Sequence, residues 1–301
     1  MPAPVDRRFV LRLLGAGAGL TALSACGGGG GGNVGAAAGG GSASGGGGGS
    51  SSSLVLVPND WDFFAGMPYR VAFLVADNAH NGAPVALDSP LTLRISTTGA
   101  PPGPPIPTVI HANGPEAAYA LATYTFPVPG TYEVTASFKG QTLSLPLPVT
   151  APSASVTPTV GQQMTSVPTP TTADHMGVNP ICTAQPPCPF HAVSLDAALA
   201  AHQPVALIFA TPALCQSRFC GPVLANLAAV SGPWRSRVTF IHSEIYTDLT
   251  GQRGTPTVLA YHLQHEPLLL LAGADGIVRE RIDNGYDRAE ATSALERLVS
   301  S

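Results

Sequence analysis

The chain has 301 residues, including 34 glycines and 30 prolines, and only 11% are charged. A formal net charge of −4, with no Lys/Arg cluster beyond the N-terminus, argues against a nucleic-acid partner. The length allows two domains, but glycine concentrated near the N-terminus leaves fewer residues to build cores.

Residues 1–26 read as an export signal. Arg7, Arg8 and Arg12 form a basic start, and Leu13 to Leu23 is an 11-residue apolar segment, too short to span a bilayer. It ends in Leu23-Ser24-Ala25-Cys26, which resembles the bacterial lipobox. The resemblance implies that Cys26 is acylated, becomes the first mature residue, and anchors the chain to a membrane in the cell envelope, outside the cytoplasm. Arg7-Arg8 followed by Phe9-Val10-Leu11 also resembles a twin-arginine signal, so export by the general or the twin-arginine route is expected.

Residues 27–53 are nearly all Gly, Ser and Ala and read as a flexible tether with a reach of roughly 30 Å. Residues 54–150 read as all-β. LVLVP (54–58) opens the region. Tyr69, Val71, Phe73 and Val75 alternate with Arg70, Ala72 and Leu74, and Tyr132, Val134, Ala136 and Phe138 alternate with polar residues. Period two marks half-buried strands. Turn signals at Asn81-Gly82, Pro101 to Pro107 and Pro129-Gly130 separate about six or seven short strands, which points to an immunoglobulin-like sandwich. Pro129-Gly130-Thr131-Tyr132-Glu133-Val134 resembles the hairpin before a late strand in bacterial Ig-like modules. His80 and His111 read as surface histidines in polar loops. This β region is expected to be a spacer or a partner-binding module.

Residues 151–180, rich in Pro, Thr, Ser and Val, read as an extended interdomain linker. Residues 181–301 change character. A helix at 195–202 is capped by Ser194, PVALIF (204–209) is a continuous apolar strand, and a helix follows Cys220. VTFIH (238–242) is a second strand, and Thr255-Pro256 starts a helix. LLLL (268–271) and GIVRERI (276–282) form a hairpin across Asp275-Gly276, and residues 287–299 form a terminal amphipathic helix. The order is α, β, α, β, α, β, β, α.

Setting Cys26 aside leaves Cys182, Cys188, Cys215 and Cys220, an even number in two local pairs. Strand, turn, Cys215-x4-Cys220-Gly221-Pro222 and helix is an arrangement suited to a redox-active dithiol. Cys182 and Cys188 enclose Thr-Ala-Gln-Pro-Pro, and prolines in so short a ring point to a structural disulfide. A metal site with His191 lacks Cys-x2-Cys zinc spacing. Neither a metal nor an organic cofactor is expected.

The element order and the cysteine segment resemble the thioredoxin fold over about residues 190–300. The fold class expected is therefore multidomain, an N-terminal immunoglobulin-like sandwich joined by a Pro-rich linker to a C-terminal α/β thioredoxin-like domain. The family has a cis-proline facing its cysteines. Pro267 fits that place, because an apolar strand and Ala274-Asp275-Gly276-Ile277-Val278 follow it as in the membrane-anchored, cytochrome-maturation type of thioredoxin. Pro256 instead begins a helix. The layout also resembles bacterial thioredoxin-domain lipoproteins. One departure stands out: thioredoxins place two residues between their cysteines and this chain places four. Helical residues five apart point about 140° away from each other. Either Cys215 lies in the loop before the helix, or the first turn opens when the bond forms.

The resemblance implies a membrane-tethered thiol–disulfide oxidoreductase acting on protein thiols or disulfides of the envelope. The site residues are Cys215, Cys220 and Pro267, with Cys215 attacking and Cys220 resolving. Arg218 adds positive potential, and Glu266 would raise a neighbouring thiol pKa. One alternative is a peroxiredoxin-like thiol peroxidase, although Thr211 sits four residues before Cys215 where those enzymes leave three, and Ile208 stands where they carry proline. Another is a copper-binding assembly factor using the thiolates with His242 or His265; those relatives carry Cys-x3-Cys. A non-catalytic binding lipoprotein is a further alternative. His175, His202 and His262 read as surface or helix-end residues.

Overall fold

The computed structural model describes residues 53–112 and 117–300. The expected signal segment, Cys26 and nearly all of the glycine tether lie outside the described residues. The described residues are β-rich, with three sheets and few helices.

The first half contains β1 (Leu54–Pro58), β2 (Tyr69–Asp77), β3 (Ala83–Pro84), β4 (Thr92–Thr97), β5 (Ile106–Pro107), β6 (Val109–His111), β7 (Tyr119–Tyr124), β8 (Gly130–Phe138) and β9 (Gln141–Val149). One sheet runs β1-β2-β7-β6 with β3 beside β2, and the other runs β5-β4-β8-β9. Their facing sides share one apolar core that includes Phe73, Leu93, Phe126, Val134 and Leu147. On β8 the alternation holds: Tyr132, Val134, Ala136 and Phe138 are buried. On β2 it fails, because Ala72 and Leu74 are buried as well. The reason is tertiary. Ala72, Leu74 and Tyr119 pack together with Phe219 from the second half of the chain.

The second half contains α1 (Leu195–Ala200), β10 (Val205–Phe209), α2 (Cys220–Ser231), β11 (Thr239–Ser243), α3 (Pro256–Ala260), β12 (Leu268–Ala272), β13 (Val278–Asp283) and α4 (Arg288–Ser300). The element order is the one read from the sequence. The sheet order is β11-β10-β12-β13, with β10 and β11 parallel and the other pairs antiparallel. The central strands β10 and β12 are buried throughout. Ala206 and Ile208 face a cluster with Leu224, Leu227 and Leu295 of α2 and α4, while Val205, Leu207 and Phe209 face Leu195 and Tyr261. Covering on both faces explains why these strands read as continuous apolar runs.

Residues 151–180 are not a free connector. Met164 N–H donates to Gly276 O at 2.8 Å and Val278 N–H donates to Gln162 O at 2.9 Å. Met164 is buried in the cluster of Leu195, Val205 and Tyr261, with Val160 and Val167 packed against it. Ser194 stands at the N-cap of α1 as read, but its hydroxyl accepts from Thr169 N–H at 2.9 Å, while Thr169 Oγ1 accepts from Leu195 N–H at 3.0 Å. The apolar residues of this segment give it something to bury, so it lies along the second half.

The two halves also meet through buried charge. Arg70 on β2 forks onto Glu290 of α4, with Nε 2.6 Å from Oε1 and Nη2 3.2 Å from Oε2. Its Nη1 pairs with Asp60, and its Nη2 donates to Gly285 O at 2.7 Å. Arg281 Nη2 reaches Asp62 Oδ2 at 2.5 Å, and Trp61 stacks on His265 with ring centroids 4.9 Å apart. His111 was expected in a polar surface loop. It lies in β6 instead, with Nδ1 2.9 Å from Asp287 Oδ1 and its ring stacked on Tyr119. His80 is exposed, 2.6 Å from Asp77 Oδ2. The described residues belong to one compact unit.

Candidate functional site: a disulfide at a helix start beside a cysteine–histidine cluster

The sheet register assembles the site at one end. Phe209, the last residue of β10, pairs with Leu268, the first of β12, and with Ser243, the last of β11. The chain leaving β10 toward Cys215, the chain entering β12 through Glu266-Pro267, and Glu244 after β11 are therefore neighbours.

Cys215 and Cys220 form a disulfide with Cα atoms 6.0 Å apart. Helix α2 begins at Cys220, and Cys215 lies in the preceding loop, which resolves the spacing problem without opening a helical turn. Arg218 makes the turn at φ +66°. Cys220 is fully buried, whereas Cys215 is partly exposed. Cys220 N–H donates to Cys215 Sγ at 3.3 Å, and the Ser217 hydroxyl lies 3.3 Å from the same sulfur. Donors at a helix N-terminus favour negative charge on the sulfur they face.

The Glu266–Pro267 peptide bond is cis, as read for Pro267. Pro256 sits in the first turn of α3, where Thr255 Oγ1 accepts from Val258 N–H. Glu266 Oε2 lies 3.4 Å from Cys220 Sγ. Burial, with the Glu244 carboxylate second, pushes the Glu266 carboxyl up to about 8, against the Thr211 N–H that favours its charged form. Glu266 is therefore mostly neutral at pH 7 and does not oppose a thiolate there, a refinement of the sequence reading.

The second cysteine pair differs from expectation. Cys182 and Cys188, read as a structural disulfide, are free thiols in the structure. They are drawn together with His191 and His242, and the four ligand atoms lie within 4.8 Å of one another. Cys188 Sγ is 3.3 Å from His191 Nε2 and 3.4 Å from His242 Nδ1, and those two nitrogens are 3.3 Å apart. Cys188 N–H donates to Cys182 Sγ at 3.2 Å. The Cys188 thiol, and then the two histidines, hold the Cys182 thiol below its ordinary range. The histidines supply these sulfurs with partners that a disulfide would not need.

The fold holds this cluster firmly. His242 lies on edge strand β11, and its N–H donates to Phe190 O at 3.1 Å, while Phe190 stacks on Phe240. His242 Nε2 lies 2.9 Å from Ala210 O, which only accepts, so Nε2 donates there and Nδ1 is the nitrogen turned toward the sulfurs. Thr183 N–H donates to Glu244 Oε1 at 2.6 Å, and Thr183 Oγ1 accepts from Ala213 N–H at 3.1 Å. The loop bearing the second pair thus walls the loop bearing the disulfide.

His242 and His265 were weighed as partners of Cys215 and Cys220. The structure gives His242 to the other pair and stacks His265 on Trp61. Among the described residues, the acidic or histidine side chain grouped with Cys215 and Cys220 is Glu266. His175, His202 and His262 are exposed. A site joining His191 to Cys182 and Cys188 is conceivable from the sequence and lacks only the Cys-x2-Cys spacing; His242, which completes the cluster, is not foreseen with this pair. Half of the signal was present in Cys188-Pro-Phe-His191, a Cys-x2-His spacing on one loop.

No protein-family model matches the chain, and no curated protein matches it.

Proposed function

We propose that this protein is a thiol–disulfide oxidoreductase of the cell envelope. In this reading a thioredoxin-like second half carries the Cys215–Cys220 pair, an immunoglobulin-like first half is docked on it, and a lipid at Cys26 tethers the whole to a membrane. The observation that carries the reading is the hydrogen bond from Cys220 N–H to Cys215 Sγ at the start of α2, with the buried sulfur against Glu266 beside a cis-proline. The α-β-α-β-α-β-β-α order supports the thioredoxin assignment. The nine-strand, two-sheet arrangement supports the immunoglobulin-like one, as does the Tyr132 hydroxyl donating to Val128 O at 2.8 Å, in the manner of a tyrosine corner.

The chemistry follows from the two burials. Cys215 is the more accessible sulfur and the one facing the Cys220 N–H, so once the pair is reduced its thiolate attacks a substrate disulfide. A bond forms from Cys215 Sγ to one substrate sulfur, and the other substrate sulfur leaves as a thiolate. The minor ionised form of Glu266, 3.4 Å away, takes the proton of Cys220, whose thiolate attacks Cys215 Sγ. The Cys215–Cys220 disulfide forms, and the second substrate sulfur leaves. Two electrons pass from the dithiol to the substrate; the reverse sequence oxidises a substrate dithiol.

A structural disulfide of an exported protein has a reduction potential below about −300 mV, and catalytic pairs lie higher. Equilibrating the protein with glutathione buffers measures this. A potential above that bound, lost in Cys215→Ser and in Cys220→Ser, supports the reading, and a pair that stays oxidised throughout refutes it.

A further inference from the structure

The cysteine pair that the proposed exchange reaction does not use has its own chemistry. Cys182, Cys188, His191 and His242 come from two elements, a loop and an edge strand, and converge on one point. Cys182, His191 and His242 are buried, with Cys188 partly so. Two imidazole nitrogens face each other at 3.3 Å. The other nitrogen of His242, Nε2, donates to Ala210 O at 2.9 Å and so is turned away from the cluster. His191 Nδ1 is buried without a hydrogen-bond partner among the described residues, and its Nε2 faces the cluster.

We infer that these four side chains form a closed tetrahedral site for a zinc ion. Zinc bonds of about 2.0–2.1 Å to nitrogen and about 2.3 Å to sulfur place tetrahedral nitrogens about 3.3 Å apart, and a sulfur and a nitrogen about 3.6 Å apart. The observed edges are 3.3 Å between the histidines, and 3.3 and 3.4 Å from Cys188 Sγ to each of them. Two thiolates and two imidazoles suit zinc in both softness and geometry, and four protein ligands leave no open position for a substrate. The Ala210 carbonyl is the outer partner that fixes the His242 tautomer and ring. Binding is balanced: a zinc dication displaces two thiol protons, and both sulfurs become ligands.

The role assigned is structural. The metal ties residues 182–191 to β11, and that loop receives Ala213 N–H from the disulfide loop through Thr183 Oγ1. The site stands whether or not Cys215 and Cys220 exchange disulfides.

The test uses the full chain, purified without chelator under reducing conditions that keep Cys182 and Cys188 as thiols. Metal content is measured after dialysis against dilute zinc. The expected result is about one zinc per chain, retained in the Cys215→Ser/Cys220→Ser double variant and lost in His242→Ala and in Cys188→Ser. Cobalt offered to the wild-type chain keeps the test independent of whether those variants fold. It should give the intense visible bands of a tetrahedral ion with thiolate-to-cobalt charge transfer. Sub-stoichiometric zinc with both thiols verified free, or an octahedral cobalt spectrum without sulfur charge transfer, overturns the site. So does a Cys182–Cys188 disulfide in the protein isolated from the cell envelope, or preferential copper(I) binding that zinc cannot match.

Discussion

Glu266 Oε2 lies 3.4 Å from Cys220 Sγ, a carboxyl against the buried sulfur of the disulfide. Its surroundings make this contact pH-dependent. Burial is the main cause that raises the carboxyl to about 8, Glu244 adds to it, and Thr211 N–H works the other way. A carboxyl whose folded pKa exceeds its unfolded value binds more protons in the folded state. Its contribution to stability is complete below the unfolded value of about 4.3 and is lost as pH rises through about 8. Glu266→Gln removes this dependence. In the oxidised protein, its stability relative to wild type should increase from pH 5 to pH 9, by on the order of a few kcal/mol. Thermal or denaturant unfolding of both proteins across that range checks it; parallel curves would contradict it.

Arg70 is the electrostatic hinge-pin between the halves, forked onto Glu290 at 2.6 and 3.2 Å and paired with Asp60. Removing it strands two buried carboxylates. Arg70→Ala should cost about 3–5 kcal/mol, far more than an exposed pair would. Denaturant titration reads this directly. The wild-type chain should unfold in one transition, because the halves share this network, whereas the variant should show two.

Gly285 lies under the same interface. A Cβ there would come within 2.9 Å of Asn59 Oδ1 and 3.0 Å of the Phe219 ring. Phe219 neighbours Cys220 and packs on Ala72, Leu74 and Tyr119 of the first half. Gly285→Ala should destabilise by about 1–3 kcal/mol, as overpacking does. Its companion Phe219→Ala should partly relieve the clash, so the double variant should show a non-additive energy in a mutant cycle.

Tyr132 is buried, and its hydroxyl donates to Val128 O at 2.8 Å. Tyr132→Phe keeps the ring and loses the bond. The expected cost is about 1 kcal/mol, and the melting temperature should fall without a change in the sheet content seen by circular dichroism.

Much of this architecture was legible because local pattern and burial agreed. The apolar run at 205–209 is a strand covered on both faces, and Tyr132 to Phe138 alternate because one face is buried. Thr255-Pro256 opens a helix through a cap and a proline in its first turn, a purely local signal. The disulfide loop was half legible. Spacing required Cys215 to leave the helix or to unwind it, and the start of α2 at Cys220 decides between them. What escaped was long-range. Ala72 and Leu74 break the alternation of β2 because Phe219, over a hundred residues later, covers them. The Pro- and Thr-rich segment at 151–180 reads as a connector by composition, yet Met164 finds a pocket beside Leu195. His242 joins Cys188 across 54 residues, which no spacing rule within one loop reveals.

The most direct test of the exchange mechanism is a trapping experiment. Cys215→Ser and Cys220→Ser variants of the full chain are incubated with envelope proteins, the thiols are blocked, and covalent adducts are identified by mass spectrometry. The account predicts that Cys220→Ser accumulates mixed disulfides through Cys215, the partly exposed sulfur facing Cys220 N–H, and that Cys215→Ser accumulates few. Adducts formed mainly through Cys220, or none from either variant, would contradict it.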